Sequence, residues 1–110
     1  MSSYRRLMKL ESARKFALSL PETTEQPHFD MKSWRVKDKI FATVPPAGEH
    51  LHIFVDEAEV RALVAQDPTT FEQLWWGKKI VGVKVSLSHA DSREVQELLE
   101  DAWRRKAPIR

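Results

Sequence analysis

Apolar residues at Leu7, Leu10, Ala13, Phe16, Ala17 and Leu20 recur every three or four positions, which gathers them on one side of a helix. Pro21 sets the end of that helix. A residue preceding proline disfavours the helical backbone, so the helix is expected to finish near Ser19 or Leu20. Residues 23–29 follow as a short extended piece that Pro27 confines to a sheet edge or a loop. From Ser33 the period changes to two. Trp34 and Val36 alternate with Ser33, Arg35 and Lys37, the polar run Lys37-Asp38-Lys39 interrupts, and Ile40 to Val44 resumes as the second half of a β-hairpin. Beyond the turn at residues 45–49, Leu51, Ile53 and Val55 alternate with His52 and Phe54 as a third strand, completing a meander.

Asp56 offers a cap for a second helix whose Val60, Leu63 and Val64 form the buried stripe, ending by Asp67-Pro68. The same pair is suited to start another helical turn, with Asp67 as cap and Pro68 at the first position, carrying Phe71, Leu74 and Trp75 inward until Gly77 closes it. Ile80 to Leu87 reads as a long strand with Val81, Val83, Val85 and Leu87 on one face and Gly82, Lys84 and Ser86 on the other. Asp91 caps a last helix in which Val95, Leu98, Leu99, Ala102 and Trp103 fit one face, with Glu100–Arg104 and Asp101–Arg105 as surface ion pairs, and Pro108 stops it. The fold class expected is α+β in two layers: an antiparallel sheet, made of the meander plus the long later strand, covered by helices on one face. The 110 residues suffice for one domain.

Composition narrows the chemistry. There is no cysteine, which removes disulfides, thiolate metal sites and cysteine nucleophiles together. The first residues lack the apolar stretch of a secretory signal, and no run approaches the roughly 20 apolar residues of a membrane span, so a cytoplasmic protein with no membrane partner is expected. The net charge of +2 is segregated: residues 1–40 hold nine Lys/Arg against five Asp/Glu, residues 41–77 one against six, and residues 78–110 eight against five. If the outer segments are neighbours in the fold, they make a basic face opposite an acidic middle; otherwise the charges solvate separate surfaces.

Several stretches in combination resemble the MmcQ/YjbR family over roughly residues 10–106: Ala17-Leu18-Ser19-Leu20-Pro21, Trp34-Arg35-Val36 followed by Lys39-Ile40-Phe41-Ala42-Thr43, and Trp76-Gly77 before Val81-Gly82-Val83-Lys84-Val85. The resemblance implies a fold similar to secretion chaperones and frataxin-like proteins, and a DNA-binding surface built from paired wing-like hairpins, a double wing. The chain departs from the family pattern at Asp38, where glycine is frequent.

The nucleic-acid candidates are Arg35, Lys37 and Lys39 around the hairpin, with Lys32 beside them, and Lys78, Lys79 and Lys84 on or before the long strand. Trp76 is the candidate for stacking on an unpaired base, since Trp34, Trp75 and Trp103 fit buried stripes. The competing reading of the basic residues is edge protection. His50 and His52 share a strand face, but with only Glu49, His28 or His89 as helpers no metal site is expected. The first helix is basic, with Arg5, Arg6, Lys9, Arg14 and Lys15, and so lacks the acids of a frataxin-type metal surface. Ser86-x-Ser88-His89 with Asp91 resembles a triad only along the sequence; Asp91 serves better as a helix cap. No enzyme activity and no cofactor are expected. The leading expectation is a non-enzymatic domain that binds nucleic acid, DNA first. The alternative is a protein-interaction or chaperone-like module using a sheet face or edge, and a small-ligand or metal binder near His28, His50 and His52 is the third.

Overall fold

Among residues 6–108, which the computed structural model describes, the chain forms α1 (Leu10–Ser19), β1 (Thr23–His28), β2 (Met31–Val36), β3 (Lys39–Val44), β4 (His50–Ile53), α2 (Glu57–Gln66), β5 (Phe71–Trp76), β6 (Lys79–Ser86) and α3 (Ser92–Lys106). Arg5 lies outside the described residues. The strands make one antiparallel sheet in the order β1-β2-β3-β4-β6-β5. α3 packs on β2, β3 and β4, α2 on β5 and β6, and α1 against α3 and β1.

Register explains the two layers. Glu25, Trp34, Ala42, Ile53, Val83 and Gln73 are successive cross-strand partners, and the four central ones are fully buried against the helices. One residue along, Gln26, Ser33, Thr43, His52, Lys84 and Glu72 form the neighbouring row, on the opposite face because strand side chains alternate. The helix-free face is thus crossed by a continuous line of polar side chains, of which Ser33 and Thr43 are still buried.

The starts of α2 and α3 obey local rules: Asp56 Oδ1 accepts from Glu59 N at 2.9 Å and Asp91 Oδ2 from Glu94 N at 3.2 Å. β1 is a true edge strand carrying Pro27, as its composition required. The main correction falls on residues 71–76. Asp67 does cap a turn, accepting from Thr70 N through both its side chain and its carbonyl, but at Phe71 the chain extends into β5 rather than helix. The 71, 74, 75 spacing suits a helix, yet pairing of every β5 residue with β6 satisfies the backbone and overrides it. Trp75, expected inside, is 51% exposed in consequence.

Three smaller departures have equally local causes. The β5–β6 register shifts between Leu74 and Trp75, so that Val81 is an extra residue; Ile80 turns inward and Val81 is only half-buried. Leu7 precedes α1, pairs as a bridge with Asp91 and is half exposed. Asp101 pairs with Arg104 at 3.3 Å rather than with Arg105, whose Nη1 donates to Phe54 O at 3.2 Å.

Candidate nucleic-acid interface

Strand direction decides which charges meet. Because the sheet is antiparallel throughout, the β2–β3 turn (residues 37–38) and the β5–β6 turn (residues 77–78) lie at the same end of it. β4 alone separates β3 from β6, which puts these inner strands about 10 Å apart at two strand spacings. Lys37, Lys39, Lys78, Lys79 and Trp76 therefore gather at one end. α3 runs to the same end and adds Arg105 and Lys106, which the sequence reading did not single out; the only signal was a basic last turn.

Two of the seven candidates do not join this group. Arg35 lies along the helix-free face, its Nε donating to Ser33 Oγ at 2.9 Å and its Nη2 to Pro27 O at 3.2 Å, while Ser33 Oγ donates to Gln26 O. It clamps β1 to β2. Lys84 sits mid-sheet between His52 and Glu72 in the polar row. Carboxylates also enter the basic end: Lys37 Nζ is 3.4 Å from Glu22, and Asp38 lies between Lys37 and Lys39. Lys39, Lys78 and Lys79 are exposed and carry the remaining positive charge of the two turns.

Between the two hairpins lies a cleft of about 740 Å³. β4 stops at Ile53, and Phe54, bonded through its N–H to Phe41 O at 3.1 Å, forms part of the lining with Ile40, Leu74, Trp76 and Val81. Gly82 permits this arrangement. A Cβ there would stand 2.5 Å from Ile53 O and 3.1 Å from the Phe54 ring, so only glycine lets Phe54 settle on β6. Lys79, Arg105 and Lys106 bring cations to the cleft lining and Asp56 and Glu57 carboxylates, with Arg105 bonded to Phe54 O close to Asp56. Trp76 is 80% exposed.

His50 and His52 share the helix-free face, opposite Ser86 and Lys84, so the second histidine has a cation and not a carboxylate across the strand. Burial, then the Lys84 charge, then His50 hold His52 below the usual imidazole range. Among the described residues, no three His, Asp or Glu side chains converge in a metal-binding group. Ser86 Oγ and Ser88 Oγ each lie 3.2 Å from His89 Nδ1, a closer cluster than sequence spacing suggested, whereas Asp91 is committed to capping α3.

No described helix is long and apolar enough to cross a membrane. The YjbR family model matches residues 18–105. The crystal structure of Deinococcus radiodurans protein DR2400, whose domain is described as DUF419, is similar in fold: TM-score 0.77 at 19% identity, over 88% of this chain and 77% of that one. None of the curated proteins matches the sequence.

Proposed function

The chain belongs to the YjbR family, and from that premise we propose that it is a non-enzymatic, cytoplasmic nucleic-acid-binding domain, DNA being the first candidate, which grips phosphates with the two hairpin turns at one end of its sheet. The observation that carries this reading is the shared end: two lysine-bearing turns, distant in sequence, bring Lys39, Lys78 and Lys79 to the same end of the sheet. The absence of cysteine suits a reducing compartment.

A lysine contacts phosphate as a point charge and reads no base, so affinity comes from counterion release and specificity is modest. Each phosphate neutralised adds about 0.9 to the slope of log affinity against log salt on duplex DNA. Lys37 contributes less than its neighbours because Glu22 shares its charge. Fluorescence polarisation with a labelled duplex, titrated at low and physiological salt, tests the reading. Binding should weaken steeply with salt, and Lys39→Glu with Lys79→Glu should abolish it. No binding at low salt of either a duplex or a single strand would end the proposal.

One observation favours a second reading, a protein-interaction module. β5 is an edge strand without proline, and its Trp75 and Trp76 are exposed. A partner captured there would be held independently of salt.

A further inference from the structure

We infer that the cleft between the hairpins takes an unpaired base of single-stranded DNA, with the Trp76 indole as its stacking surface and Lys79 and Arg105 on the flanking phosphates. This rests on the nucleic-acid reading and narrows it to a strand type.

Three features converge. Trp76 leaves 80% of its surface in water beside an apolar lining of Ile40, Phe54, Leu74 and Val81, so the ring has a vacant face and the cleft an apolar interior. Trp76 and Lys79 are direct cross-strand partners, with Cβ atoms about 5 Å apart, so a base stacked on the indole brings its own phosphate within reach of the ammonium group. Arg105 is fixed at the cleft by its bond to Phe54 O; a guanidinium has five N–H donors, and that bond uses one.

The charge pattern selects the occupant. An apolar peptide would gain from the lining but nothing from Lys79, Arg105 and Lys106, whereas a nucleotide uses both parts. Carboxylates in the lining disfavour phosphate beside them: Asp56 accepts from Glu59 N and Glu57 is bridged to Arg61 at 2.7 Å, so both stay in place. The backbone is thereby favoured on the Lys79 side, next to Trp76, with the base turned inward. A base within a duplex has both faces stacked and would have to be extruded first, at a cost that a single strand avoids. The cleft volume of about 740 Å³ falls within the range of small-ligand sites.

The test compares a labelled single-stranded oligothymidylate with a hairpin duplex of equal length at low salt, using the full chain. The single strand should bind more tightly and quench tryptophan emission. Trp76→Ala should weaken it about ten-fold or more with little effect on the duplex, and Trp76→Phe should restore most of the loss. Trp76 is exposed, so Trp76→Ala should retain the melting temperature of the parent. Duplex binding equal to or tighter than single-strand binding, or a single-strand affinity indifferent to Trp76→Ala, overturns the inference while leaving phosphate binding intact. Binding of neither probe overturns the nucleic-acid reading itself.

Discussion

The indole Nε1 of Trp34 donates to Glu25 Oε1 at 3.0 Å, and the same oxygen accepts from Arg14 Nε at 2.8 Å. A fully buried tryptophan in β2 is thus joined to α1 through a carboxylate on the edge strand β1. Burial alone would raise the Glu25 pKa, but the bonds from Arg14 and Trp34 and the Arg14 charge outweigh it and hold the carboxyl below its usual range. A depressed folded-state pKa adds stability above the unfolded value that is lost as pH falls through the folded one. Glu25→Ala should cost about 1–3 kcal/mol at neutral pH, because it leaves a buried N–H without its acceptor. It should also flatten the acid limb of stability, read by urea unfolding between neutral and acid pH.

Glu59 behaves in the opposite sense. Burial, then the Asp101 and Asp56 carboxylates, push it above its usual pKa, with Arg105 opposing. Its stabilising contribution is therefore present below the unfolded pKa and lost as pH rises through the elevated folded value. Glu59→Gln should raise the melting temperature at neutral pH and reduce its rise on mild acidification. A fall at neutral pH would mean that the charge is needed where α2 meets α3.

Lys37 and Asp38 have φ of 51° and 67°, the left-handed pair required by a tight two-residue hairpin turn, where asparagine and glycine are favoured. Asp38→Gly should relieve the strain, stabilising the fold by about 1 kcal/mol. It also removes a carboxylate from between two lysines, so duplex binding should tighten modestly and its salt dependence should persist. Thermal melts and polarisation titrations separate the two effects.

At Gly82 an added methyl has no room. Gly82→Ala should destabilise the protein by about 1–3 kcal/mol through displacement of Phe54 and the end of β4. Its readouts are chemical denaturation and broadened or shifted NMR resonances of Phe54 and Leu74.

Much of the architecture was legible because its causes are local. Asp56 and Asp91 cap their helices from within the same turn, Pro21 stops α1 at Ser19, and the alternation of Trp34 and Val36 places β2. The β2–β3 turn was legible as well, since the polar run Lys37-Asp38-Lys39 interrupts two alternating stretches, whereas Trp76 and Lys78 read as the end of a helical turn, so the β5–β6 hairpin was not.

Tertiary structure alone decided the rest. Phe71 to Trp76 carry spacing compatible with either helix or strand, and the open edge of β6 made the choice by offering backbone partners, turning Trp75 out to solvent. Strand order brought the two lysine turns to one end, removed Arg35 and Lys84 from that group, and led α3 there with Arg105 and Lys106. Periodicity reports which side of an element is apolar. The joining of elements far apart in the chain depends on hydrogen-bond register and packing, and those exist only once the strands have assembled in their order.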